Sequence, residues 1–178
     1  MLPWMKSRAR RKPLADEASL YDYAIAALAR RMHSVAELKR KLRNRCPEEA
    51  TVDRVVARLK DLKYLNDSSY AAAFSAFRRD NEKFGRRRVT TELKVKGVHA
   101  DVIEKAVQEA YAGVDEAGLA RAFLQRKRLK PPQNNREAAR IFRALMRAGF
   151  GVAISISVLK NWNVDDEVLT GLEEEGEG

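Results

Sequence analysis

Arg136, Arg140, Arg143 and Arg147 recur at intervals of four, three and four residues, which stacks four guanidinium groups on one face of a single helix. Ile141, Phe142 and Leu145 fall on its other side. Like charges at this spacing repel by about 0.2–0.5 kcal/mol per i,i+4 pair. The row is easier to explain if an anionic partner neutralises it, through phosphates or carboxylates. A second cluster, Arg121, Arg126, Lys127, Arg128 and Lys130, precedes it. Lys39 with Arg43, and Arg86 and Arg87 with Lys94, echo the row more weakly. A solvated helix face also carries such charges, so it is the clustering rather than any one residue that favours binding.

Other chemistry finds little support. Gly85 precedes Arg86, Arg87 and Arg88 without the spacing of a phosphate-cradling loop. His33 and His99 are far apart in sequence, and neither has a His or Cys at ligand spacing, so no metal is expected. Cys46 has no clear His partner and reads as a small residue at a helix end. Glu48 and Glu49 are adjacent, point to different sides of a helix, and suit its first turn. The sequence therefore implies a protein that is not an enzyme and has no cofactor. Phe74, Phe77, Phe123 and Phe142 fall on core positions, leaving few rings for base stacking.

The elements that must carry these residues are helices. Leu38, Leu42, Cys46, Val52 and Val56 are followed 51 residues later by Val89, Leu93, Gly97, Ile103 and Val107. A further shift of 52 gives Ile141, Leu145, Gly149, Ser155 and Leu159. Self-similarity near fifty residues marks a tandem array of small helical units, each too small to bury a core alone. Ser34-Val35-Ala36-Glu37 is a capping box. Gly97 and Gly149 supply helix stops. Val152 to Leu159 is rich in β-branched residues, yet its repeat position predicts helix.

The chain has 178 residues, 45% hydrophobic and 34% charged, with a formal net charge of +10. Such an excess suits an acidic partner. Lys6, Arg8, Arg10, Arg11 and Lys12 make a basic start, and Asp165 to Glu177 an acidic end, but the body between them is basic as well. One cysteine forbids an intrachain disulfide, which suits a reducing compartment. No apolar run approaches the roughly 18 residues of a membrane span. A cytoplasmic, soluble monomer is expected.

These residues resemble a known family. Ser34-x-x-Glu37-Leu38-x-x-Lys41-Leu42, then Leu59 to Asp67, then Tyr70-Ala71, look like the first repeat of the RecX family, bacterial regulators of the RecA recombinase. Glu92-Leu93-Lys94-Val95-Lys96-Gly97-Val98 resembles the second repeat, and Leu145-Met146-Arg147-Ala148-Gly149-Phe150 the third. The likeness covers about residues 20 to 160. Cys46 and Lys63 stand where that family usually has Gly. The resemblance implies a modulator that lies along the RecA filament on single-stranded DNA. It would damp strand exchange, ATP hydrolysis and co-protease activity in recombination, DNA repair and the SOS response, with direct DNA contact secondary. The alternative is an autonomous nucleic-acid-binding module; a helical scaffold for acidic proteins is a third reading.

The expected architecture is all-α: three tandem three-helix repeats in an elongated, curved array. Residues 1–15 would be a flexible basic arm, 16–68, 69–112 and 113–163 the repeats, and 164–178 a fraying acidic tail.

Overall fold

The computed structural model describes residues 16–177, and all of its regular structure is helical. The helices are α1 (Glu17–Arg30), α2 (Val35–Arg43), α3 (Glu49–Asp61), α4 (Asp67–Asp80) and α5 (Arg86–Val95). They continue with α6 (Ala100–Ala110), α7 (Glu116–Arg126), α8 (Asn135–Arg147), α9 (Val152–Lys160) and α10 (Asp166–Glu177). The basic arm at 1–15 lies outside the described residues. The chain divides into two compact units, one ending at Asp67 and the other beginning at Ser68.

In the first unit, α1, α2 and α3 enclose Leu20, Ala24, Leu38, Leu42, Val52, Val55 and Leu59, none of them solvent-exposed. The capping box forms as its sequence dictates. Glu37 N–H donates to Ser34 Oγ at 3.1 Å, and Ser34 N–H to the Glu37 carboxylate at 3.5 Å. The two positions where the resemblance leads one to expect glycine differ in kind. Lys63 takes a left-handed backbone with φ 62°, whereas Cys46 does not and is buried instead. Asp67, the last residue of this unit, accepts the Val35 N–H at 2.9 Å, satisfying an amide of the first turn of α2.

In the second unit, α4 to α10 share one core, so the segments expected to form a second and a third repeat are not independently packed. Helix stops recur. Gly97 (φ 75°) and Gly149 (φ 92°) follow α5 and α8, and the next residues, Val98 and Phe150, bond back to Leu93 and Leu145. These returns satisfy otherwise orphaned carbonyls, and both apolar residues are buried. Residues 152–160 are helical despite their β-branched composition, because Val158, Leu159 and Ser155 face the shared core.

Two expectations are corrected. Phe77 is not a core residue: it is 54% exposed, on the outer side of α4. The chain also does not fray after Trp162. Residues 166–177 form α10, whose Leu169 and Leu172 are buried in the second core. A buried leucine contributes roughly 1.5–3 kcal/mol, which offsets the two glycines of the segment and the carboxylates near its C-terminal end. The helices α1, α4, α7 and α10 begin at 17, 67, 116 and 166. Their fourth residues, Leu20, Tyr70, Leu119 and Leu169, all point inward. The start of α10 thus continues the fifty-residue spacing.

Candidate functional site

The arginine row forms as its spacing predicts. Asn134 caps α8 by accepting the Glu137 N–H at 2.9 Å, and Glu137 reaches back to the Gln133 N–H at 2.9 Å. This fixes where the helix starts. Ala138, Ile141, Phe142 and Leu145 are then buried, and Arg136, Arg140, Arg143 and Arg147 are all exposed on the opposite face.

Helix α5 is brought to the end of this row by two glycines. Gly85 N–H donates to the Ala148 carbonyl at 2.8 Å, and Arg87 N–H to the Gly149 carbonyl at 3.2 Å. The carbonyl end of α8 thus supplies acceptors to the amide end of α5, an arrangement that both helix dipoles favour. A Cβ built on Gly85 would stand 2.3 Å from the Gly149 oxygen, and one on Gly149 2.3 Å from the Arg88 nitrogen. Only glycine fits at either place. Arg88 reinforces the contact. Its guanidinium lies 3.8 Å from the centroid of the Phe84 ring, donates to Glu92 at 3.0 Å, and donates to the Arg147 carbonyl at 3.3 Å. Arg87 projects beside Gly151, where a Cβ would lie 3.8 Å from its Nη2. The α5 arginines and the α8 row, separate in sequence, therefore adjoin.

Ion pairing divides the remaining basic residues. Arg86 pairs with Glu116, Arg126 with Glu82 at 2.9 Å, and Arg121 with Asp115 at 3.4 Å. In the first unit, Lys39 pairs with Asp53 at 2.6 Å and Arg43 with Glu49. Among the described residues, Arg143 alone of the row has a carboxylate partner, Glu175 of α10, at 2.8 Å. Their hydrogen bond holds the Glu175 carboxyl below the usual range and raises the Arg143 guanidinium. Among the described residues, Arg136, Arg140, Arg147, Arg87, Lys94, Lys127, Arg128 and Lys130 have no acidic partner; Lys127 lies 5.9 Å from the Phe123 ring centroid. The structure thus concentrates unneutralised charge on α8, the adjoining Arg87, and the stretch after α7. It does not bring Lys39 and Arg43 into that set.

Sequence reasoning missed Arg88 as a residue that positions the site. Its signal was present: Glu92 follows it at i+4, the geometry of a helical ion pair. The Phe84 ring and the Arg147 carbonyl could not be read from spacing. No group of three His, Cys, Asp or Glu side chains that could hold a metal occurs among the described residues. Nor is any described helix long and apolar enough to cross a membrane.

This arrangement has relatives. A regulatory protein RecX of Leptothrix cholodnii is 35% identical over 144 residues, spanning 81% of this chain and 89% of its own. The chain belongs to the RecX family. Its first three-helix domain matches residues 21–59 and its second residues 66–107. The regulatory protein RecX of Escherichia fergusonii is 38% identical over 144 residues, covering 75% of this chain and 85% of that one. The crystal structure of RecX from Lactobacillus salivarius superposes with a TM-score of 0.67 at 19% identity, over 83% of this chain and 96% of that one, and so shares the fold. A place in this family makes the chain a regulatory protein. Glu92, in the stretch resembling the second RecX repeat, bridges Arg88 and Arg78 at 3.0 and 2.8 Å. It thereby holds α4 against α5 and orients the arginine that reaches α8.

Proposed function

We propose that this RecX-family chain is a non-enzymatic regulator that binds the RecA filament on single-stranded DNA and inhibits its recombinase, ATPase and co-protease activities. It acts as a cytoplasmic monomer, without a cofactor. The observation that carries the reading is the α8 face: Arg136, Arg140 and Arg147 are exposed and have no acid partner among the described residues, and Arg87 adjoins them. A nucleoprotein filament presents phosphates and carboxylates at repeating intervals, and fixed arginines on a rigid helix can meet either in bidentate fashion. The helices carrying them are held by a buried core, so the charges are arranged before binding. Direct contact with DNA is secondary in this reading.

The test is ATP hydrolysis by RecA on single-stranded DNA, with this protein titrated in at fixed salt. Dose-dependent loss of hydrolysis far below one protein per recombinase supports a filament-directed regulator. Unchanged hydrolysis with tight binding to naked DNA would replace it by an autonomous nucleic-acid module.

A further inference from the structure

We infer that α10 is a displaceable cover for Arg143 of the α8 row, with Glu175 occupying that arginine in the free protein as an internal stand-in for the anionic partner. The inference rests on the reading of α8 as the binding face.

Three observations place Glu175 there. Leu169, Leu172 and Gly176 fall at i, i+3 and i+7 on α10 and form the stripe that faces α8 and α9. Gly176 lets the helix end approach closely: a Cβ there would stand 2.8 Å from Val152 Cγ2 and 2.9 Å from Phe142 Cζ. Phe142 is the neighbour of Arg143 in the chain, so this approach delivers the adjacent Glu175 to the arginine at 2.8 Å.

The same helix is built to let go at that end. Its last turn carries no basic residue and follows Glu173 and Glu174, charges that oppose the helix dipole at a C-terminus. Gly171 and Gly176 lower its propensity further. The apolar anchors Leu169 and Leu172 precede Glu175 by six and three residues, and the ion pair at its far end is half-exposed on both sides. An exposed pair is weak and screened by salt. A partner with many anionic groups can take Arg143 by displacing one carboxylate, while the leucines keep α10 attached.

The experiment measures the affinity of the end-labelled full-length protein for RecA filaments assembled on single-stranded DNA. It compares the natural chain with Glu175→Gln, Glu174→Gln and Gly176→Val. Glu174→Gln removes the same charge from an exposed residue that pairs with no basic side chain among the described residues. Gly176→Val pushes the helix end from Phe142 at constant charge. The cover predicts about two- to fivefold tighter binding for Glu175→Gln and for Gly176→Val, and a clearly smaller change for Glu174→Gln. Equal affinities across all four, with the natural chain binding, overturn the cover and leave the binding face intact. An equal gain from Glu174→Gln and Glu175→Gln also overturns it, as a general charge effect. Absence of binding by all four overturns the cover together with the reading beneath it.

Discussion

Gly85 and Gly149 touch backbone to backbone, the carbonyl oxygen of one lying 2.3 Å from where the other would carry a Cβ. This contact seats the amide end of α5 on the carbonyl end of α8, bringing Arg87 to Gly149 and Arg88 to the Arg147 carbonyl. The two glycines serve a junction, and Gly149 in addition ends its helix with φ 92°.

Gly149→Ala should therefore cost more than a simple left-handed alanine. Gly113 is the matched control, since it has φ 69° but nothing within 4 Å of a built Cβ. We expect a loss of about 1 kcal/mol for Gly113→Ala from backbone strain alone. Gly149→Ala should lose roughly 3 kcal/mol or more, because strain and overlap with Arg88 combine. Denaturant unfolding of both variants decides this; equal shifts would mean the junction adapts freely.

The two positions where the resemblance leads one to expect glycine, Cys46 and Lys63, should respond oppositely. Lys63→Gly relieves roughly 1–2 kcal/mol of left-handed strain and adds about 0.5–1 kcal/mol of unfolded-state freedom, a net gain of about 0.5 kcal/mol. Cys46→Gly removes a buried side chain from a residue without positive φ and should cost about 2 kcal/mol. Unfolding midpoints of the two variants are the check, and a stabilised Cys46→Gly would contradict the backbone at that turn.

The arginines should separate by whether they have a partner. Replacing Arg136, Arg140 and Arg147 by Gln should flatten the dependence of log affinity for the filament on log salt, by about two units at most, the value for three phosphate contacts. Replacing Arg86, Arg121 and Arg126 by Gln removes the same formal charge from residues already paired with Glu116, Asp115 and Glu82. That triple variant should keep the slope within about half a unit. Identical slopes for the two sets would show that total charge, not the α8 face, governs binding.

His33 gives stability a pH dependence. It is 5% exposed, and burial first, then Arg31 and Lys41, lowers its pKa against the opposing pull of Glu37. A folded pKa below the unfolded value means the unfolded chain takes the proton first. The contribution is fully present above about pH 6.5 and is lost as pH falls through the folded value. Asp16, Asp80 and Glu175, carboxyls held below their ordinary range, act only at lower pH. Unfolding free energy should decline from about pH 6.5 to pH 5, and His33→Gln should remove that decline. A slope unchanged in the variant would assign it elsewhere.

The sequence by itself determined most of the helices, because capping, helix stops and apolar spacing act within a few residues. Ser34 and Glu37 close their box, Gly97 and Gly149 stop their helices, and the face of α8 buries Ile141 and Leu145 while exposing four arginines. The fifty-residue spacing even overrode the strand-like composition of residues 152–160. Local pattern failed at Phe77, whose spacing resembles a core position but whose side chain is exposed. It failed again at α10, where a run of acids hid Leu169 and Leu172, whose partners lie on other helices. Which arginines remain unneutralised was decided only by the tertiary structure. Glu82, Glu116 and Glu175 reach Arg126, Arg86 and Arg143 across helix boundaries, and charge pairing depends on distance in space, which sequence spacing fixes only within one helix.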